Sequence, residues 1–220
     1  SAHARSDVFT ELDKILYPNR CEVIEVAPQR FVFPIFKNGS SSLLAQASIS
    51  GWKILLNEQI RRCDAIEVFL RDPHDRMASG AGSYYDDMSG WNKGLDKHTI
   101  LAFMEEYPYL NRHYLPQIHW LISLGRYISP GTVLKLMGMD AISGLTDLKK
   151  GGRRSDDPSK IEHIATMPKS KPYMELDTCL YGMIGKHITL HDILMVMSEQ
   201  HKQAYEHVFG YAKKLADVLP

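Results

Sequence analysis

Lys37 stands at the end of an apolar run and opens the stretch Asn38-Gly39-Ser40-Ser41-Ser42-Leu43. A cation, a glycine and three consecutive hydroxyl residues, in that order, are what an anion site requires. Gly39 frees the backbone to turn, Ser40, Ser41 and Ser42 offer hydroxyls and helix N-cap oxygens, and Lys37 supplies a full positive charge. If a helix begins at the serines, its unpaired N–H groups and the positive end of its dipole converge on the same point. A second cluster lies in Arg71-Asp72-Pro73-His74-Asp75-Arg76-Met77-Ala78-Ser79. Asp72 suits a helix cap and Pro73 a first helical turn, with Arg71 immediately before them. Arg76 and Ser79 are three apart and share a helical face. Arg71 as a guanidinium fork and Ser79 as a point donor would grip one phosphate from two sides. Each cluster alone also fits an ordinary strand–loop–helix junction; two in one small chain point to a shared ligand.

Both clusters need strands to deliver them. Val32, Phe33 and Ile35 form a β-type run before Lys37, and Ala65-Ile66-Glu67-Val68-Phe69-Leu70 does the same before Arg71. Glu22 to Val26 alternates as a further strand, and Ala27-Pro28-Gln29-Arg30 turns it towards Phe31 to Ile35 as a hairpin at the sheet edge. Ser40 to Ser48 reads as a helix and Trp52 to Leu56 as a short strand. Residues 73–85 and 98–106 read as helices, and Tyr114 to Leu124 as another, stopped by Gly125. Thr132 to Met137 is a further parallel strand with a helix around Leu145. Residues 7–17 form a short amphipathic helix, Lys149 to Lys160 a charged loop, and Thr189 to Val218 a long helix. That last helix carries Leu190, Leu194, Met197, His201, Tyr205 and Phe209 along one stripe. The expected fold is α/β: a small, mostly parallel sheet flanked by helices, and a helical C-terminal part. Residues 1–220 read as one domain, without an internal repeat or a dividing linker.

Composition restricts the partners. The chain has 220 residues, 44% of them hydrophobic and 24% charged, and its formal net charge is zero. A neutral chain presents no global field to nucleic acid or to an anionic membrane, so anion binding has to be local. No run approaches the roughly 20 apolar residues that span a bilayer. The three cysteines, Cys21, Cys63 and Cys179, have no metal-type spacing, and their odd number argues against a complete disulfide framework. These features suggest a cytoplasmic, reducing compartment. A chain that opens Ser1-Ala2-His3 also fits a processed or engineered start, which leaves a lumenal domain without its anchor as the alternative. His187 and His191 are four apart, but Thr189 between them reads as a helix cap and no third ligand is evident, so no metal site is expected.

Phe36-Lys37-Asn38-Gly39-Ser40-Ser41-Ser42-Leu43 and the uninterrupted Arg71-to-Ser79 segment together resemble the PAPS-dependent sulfotransferases, especially the carbohydrate sulfotransferase-like branch. That family carries a P-K-x-G-[ST]-[ST]-[ST]-L loop for the donor's 5′-phosphosulfate and an R-D-P-x-x-R-x-x-S segment for its 3′-phosphate; Phe36 replaces the usual proline. The resemblance covers residues 31–79. It implies a P-loop-like core and a sulfotransferase that moves a sulfuryl group from PAPS to an acceptor hydroxyl on a carbohydrate or small molecule, leaving adenosine 3′,5′-bisphosphate, with no metal. Lys37, Asn38, Gly39, Ser40, Ser41 and Ser42 would hold the 5′ side, and Arg71 and Ser79 the 3′-phosphate. Lys37 would also stabilise the charge growing on the leaving oxygen. The basic loop Lys149-Lys150-Gly151-Gly152-Arg153-Arg154 would bring Lys150 and Arg153 over the 3′-phosphate, although such a run is ordinarily a solvated surface.

The acceptor hydroxyl must lose a proton, and two residues compete for that role. In families of this kind the base stands at the end of the strand after the loop helix, which points to Glu58. His113, in a His-x-x-Pro-Gln segment similar to one in carbohydrate sulfotransferases, has the better intrinsic pKa. Two rival readings remain. One is a P-loop nucleotide kinase-like phosphotransferase, which lacks the G-x-x-x-x-G-K-[ST] signature here. The other is a non-catalytic protein that binds a nucleotide bisphosphate.

Overall fold

The computed structural model describes residues 21–35, 37–89, 96–106, 112–147 and 163–209. The expected helix at 7–17, the loop at Lys149–Lys160 and the end of the C-terminal helix lie outside them. Strand β1 (Glu22–Ala27) turns directly into β2 (Arg30–Phe33), and α1 (Ser40–Ser50) leads to β3 (Lys53–Leu56). A 3-10 turn (Asn57–Arg62) precedes β4 (Ala65–Leu70), followed by α2 (Pro73–Ser89), α3 (Lys97–Glu106) and α4 (Gln117–Leu124). Next come β5 (Val133–Gly138), 3-10 turns at Met139–Gly144 and His163–Thr166, α5 (Lys171–Tyr181), β6 (His187–Thr189) and α6 (Leu190–Gln200).

The six strands form one sheet in the order β3-β1-β2-β4-β5-β6. β2, β4 and β5 pair in parallel, whereas β1 is antiparallel to both β2 and β3, and β6 is antiparallel to β5. The sheet is thus mixed rather than mostly parallel by pairing, although β2, β3, β4 and β5 all point the same way. The β1–β2 hairpin is not at the edge, because β3 returns to cover β1.

Alternation along the strands decides which helix covers which face. Ile24, Val32 and Phe69 pack on one face with Leu43 and Ala47 of α1 and with Ile142. Val23, Phe31, Phe33, Ile66, Val68 and Leu70 face the other way, against Ile118 and Leu121 of α4 and Leu176 and Leu180 of α5. β4 is therefore buried on both sides, as the central strand of a two-faced sheet must be. Ile66, Val68 and Leu70 are fully enclosed, and each contributes about 1.5–3 kcal/mol by its burial. Glu67 is the polar exception in this strand. Arg30 of β2 answers its carboxylate with two N–H donors at 2.7 and 2.9 Å. A separate cluster joins α2 to α3 through Met77, Ala81, Tyr84, Tyr85, Ile100 and Met104.

Several expected boundaries shift for local reasons. The helix expected from Tyr114 starts at Gln117, after Pro116 in an extended conformation, and ends at Leu124 as expected. The helix expected around Leu145 is the 3-10 turn Met139–Gly144. The long C-terminal helix is interrupted at His201, whose φ of −131° and ψ of 49° close α6 before residues 202–209 resume helical form. Thr189 does cap α6, its side chain accepting from the Asp192 N–H at 3.2 Å.

Candidate functional site

The two anion clusters meet because β2 and β4 are adjacent parallel strands. β2 sends the chain through α1 to β3, on the far side of β1, whereas β4 sends it through α2, α3 and α4 to β5 on the opposite side. The carboxyl ends of β2 and β4 thus flank the point where the two connections diverge. Open α/β sheets bind ligands in the crevice at that point.

The loop after β2 is tightly wound. Asn38 N–H donates to the Ile35 carbonyl at 2.9 Å, and Gly39 adopts the left-handed conformation with φ of 80°. A side chain at Gly39 would bring Cβ to 2.8 Å from Ile142 Cδ1, a methyl end that can move aside, so it is the positive φ that reserves the position for glycine. Leu43 N–H gives the first helical bond, to the Gly39 carbonyl at 3.0 Å. The N–H groups of Ser40, Ser41 and Ser42 therefore have no partner within the helix. Ser40 is buried, Ser42 half-buried and Ser41 exposed. Lys37, the residue that carries the charge, also has a left-handed backbone with φ of 70°.

Lys37 and Arg71 come together. The Lys37 ammonium donates to Ser83 Oγ at 2.6 Å, and an Arg71 guanidinium N–H donates to the Lys37 carbonyl at 3.1 Å. Ser79 lies one turn before Ser83 on α2 and is half-buried, so it shares the helical face that meets Lys37. Asp72 caps α2, accepting from the Asp75 N–H at 3.0 Å. Arg76 turns away from this cluster: it is buried and donates to the Leu115 carbonyl. The Lys37 ammonium is held below the usual lysine range, first by burial and then by the Arg71 and Arg76 charges, with Asp87 opposing. A buried cation destabilised by two further guanidinium charges, beside a helix start with unpaired N–H groups, is a setting that suits a multiply charged anion.

His113 joins the same cluster. Its Nε2 is 3.7 Å from Asp87 Oδ2 and its ring centroid is 6.1 Å from that of Tyr84. Burial, followed by the Lys37 and Arg112 charges, lowers its pKa to about 4. The approach of α2 to the His113 backbone depends on Gly80, where an added Cβ would stand 1.7 Å from the His113 carbonyl oxygen. Glu58 stands apart. It is exposed on the 3-10 turn after β3, and β3 is separated from β2 by β1, a distance of about 10 Å across two strand spacings. Lys150 and Arg153 lie outside the described residues.

Ser83 and Asp87 had no part in the sequence reading, and Gln117 entered it only as the last residue of the His-x-x-Pro-Gln segment that starts at His113, with no role assigned. Gln117 is fully buried at the start of α4. Its Oε1 accepts from Asn38 Nδ2 at 2.6 Å and from the Arg71 N–H at 2.9 Å, and its Nε2 donates to the Arg71 carbonyl at 2.9 Å. The Asp177 carboxylate in turn accepts from the N–H groups of Gln117 and Ile118 at 2.7 and 2.9 Å. Burial holds the Asp177 carboxyl above the usual carboxylate range, against those two hydrogen bonds and the nearby Arg76. A glutamine at the head of the mostly apolar run Gln117-Ile118-His119-Trp120-Leu121-Ile122 was the available signal, since a buried amide has to be hydrogen-bonded.

Comparison of the chain with family models, with curated proteins and with solved structures returns no match.

Proposed function

We propose that this chain is a PAPS-dependent sulfotransferase with a P-loop-like core, transferring a sulfuryl group to a hydroxyl on a carbohydrate or small molecule. One observation carries the reading: Lys37 and Arg71, from two separate strand–helix junctions, converge at adjoining carboxyl ends of parallel strands. A donor with anionic groups at both its 5′ and 3′ positions would use both. The residues for the 5′ side are Lys37, Asn38, Gly39 and Ser40 to Ser42, and those for the 3′-phosphate are Arg71 and Ser79.

In the transfer, the bond from sulfur to the bridging oxygen breaks as the acceptor oxygen bonds to sulfur, and the bisphosphate leaves with the negative charge. Lys37 stabilises that charge. The acceptor proton goes to His113, which the geometry favours over the exposed Glu58. With its pKa near 4, the imidazole is neutral at pH 7, and the negative charge of a bound donor shifts that value upward, towards a better base. The free thiols of Cys21, Cys63 and Cys179 favour a cytoplasmic, reducing location. Among the described residues no helix is long and apolar enough to cross a membrane.

The test is calorimetric titration with adenosine 3′,5′-bisphosphate and 5′-AMP in the absence of metal. The bisphosphate is expected to bind more tightly, and Arg71→Ala to weaken it by about tenfold or more, since charge-assisted contacts contribute roughly 1.5–3 kcal/mol. Equal affinities would remove the 3′-phosphate assignment. Bisphosphate binding without transfer from labelled PAPS to any hydroxyl acceptor would favour a non-catalytic binding protein. Preference for ATP with Mg²⁺ would favour a phosphotransferase.

A further inference from the structure

The two anion junctions are tied to each other by a closed ring of hydrogen bonds, and Gln117 is where the ring closes. Lys37 and Asn38 are chain neighbours. The Arg71 guanidinium donates to the Lys37 carbonyl, the Arg71 backbone is bracketed by the Gln117 amide, and the same Gln117 oxygen accepts from Asn38. Gln117 meets both the N–H and the carbonyl of Arg71, as a neighbouring strand would, and so extends the order of β4 by one residue past Leu70. The chemistry at each vertex is fixed. Asn38 Nδ2 donates both to Gln117 Oε1 and to the Phe69 carbonyl at 2.9 Å, so position 38 needs an amide donor rather than a carboxylate. Gln117 needs one acceptor and one donor on the same planar group, which a side-chain amide supplies and a carboxylate does not. Both residues are fully buried, where an unmade bond costs more than at a surface. The Asp177 carboxylate fixes the Gln117 backbone from below.

We infer that Gln117 is a positioning residue that makes the Lys37 loop and Arg71 respond as one unit, so that an anion ordering one junction also orders the other. The functional half of this inference rests on the donor-binding reading above; the structural half does not. Contacting residues in one hydrogen-bonded network depart from additivity, so Lys37→Ala and Arg71→Ala should each weaken adenosine 3′,5′-bisphosphate binding, yet together by less than the product of the two.

The experiment combines two measurements on wild type, Gln117→Met and Asn38→Ala. The first is hydrogen exchange without ligand. In Gln117→Met, residues 37–43 and 70–72 are expected to lose protection together, while β1 and β5 keep theirs, which separates loss of the ring from general unfolding. Asn38→Ala, the milder change, should loosen 37–43 and leave 70–72 protected, and it keeps the question open to test if Gln117→Met does not fold. The second is the double-mutant cycle with the bisphosphate. The Lys37→Ala and Arg71→Ala effects are expected to be non-additive by roughly tenfold in the wild-type background and closer to additive when Asn38 is alanine, where, of the ring, only the Arg71 bond to the Lys37 carbonyl still joins the junctions. Unchanged exchange at either junction in Gln117→Met, or additive effects in the wild-type background, would overturn the inference. Should the bisphosphate not bind at all, the donor reading fails, and hydrogen exchange alone decides whether the junctions are linked.

Discussion

Acidification offers a direct test of the packing behind the site, through His119. This residue sits in α4 two positions after Gln117, almost completely buried, with its ring stacked on Tyr173 at a centroid separation of 5.6 Å. Its Nδ1 has no hydrogen-bond partner, and burial lowers its pKa from 6.5 to about 4. The unfolded chain therefore binds a proton in a range where the folded chain does not. Stability is full above pH 6.5, falls as pH drops from 6.5 to about 4, and is flat for this group below that. At about 1.36 kcal/mol per pKa unit, the loss approaches 3 kcal/mol, a sizeable share of the 5–15 kcal/mol typical of a domain. Asp177, with its carboxyl raised by burial, acts in the opposite sense as the pH falls, and His113 acts in the same sense as His119. Neither differs between wild type and His119→Phe, so the difference between their stability curves isolates His119. Denaturant unfolding of both proteins at several pH values from 7.5 to 4 should show the gap between them widening by about 3 kcal/mol in favour of the phenylalanine variant. Parallel curves would refute the claim that burial keeps this imidazole neutral.

Other consequences are more local. Lys37→Ala should lower sulfuryl-transfer turnover by about 100-fold or more while changing donor affinity less, because several backbone and serine donors share the ground-state contacts; single-turnover kinetics with separate donor binding reads this split, and the reverse pattern makes Lys37 a binding residue only. If His113 is the base, His113→Ala should lose about 100-fold or more in turnover with bisphosphate binding kept, while Glu58→Gln stays near wild type; assays of both variants discriminate between the candidates, and two near-normal activities would place the base elsewhere. Gly80→Ala should destabilise the protein by about 3 kcal/mol or more, at the upper end of what forcing extra atoms into a packed region costs, because the obstacle is the His113 backbone; thermal unfolding measures it, and an unchanged midpoint would contradict the close approach of α2.

Much of the core was legible in the sequence, because the strands that carry the clusters are short apolar runs with abrupt polar ends. Ala65 to Leu70 declares itself by burying both faces, and Asp72 and Thr189 announce their helices through cap chemistry that is purely local. Pairing was harder to see. Nothing in Lys53-Ile54-Leu55-Leu56 says that it will lie beside β1, since that depends on the direction in which α1 crosses the sheet. α5 escaped notice for a related reason. Its apolar stripe of Tyr173, Leu176 and Leu180 is interrupted by Asp177, a buried carboxylate whose partners belong to α4, sixty residues earlier. β6 has only three residues, too few for any alternation to show. Ser83 and Asp87 joined the site through tertiary contact alone, whereas Lys37 and Arg71 were marked by their place at the strand ends and Gln117 by its polarity at the head of a buried helix.

The left-handed backbone at Lys37 sets stability and chemistry against each other at a single position. A side chain held at φ of 70° costs about 1–2 kcal/mol that glycine would not incur, and burial of the ammonium beside Arg71 adds to that penalty. The chain without an anion is therefore less stable than its fold allows. Stabilised variants selected by heat alone would be drawn towards glycine or asparagine at position 37, and each would discard the charge on which the proposed transfer depends.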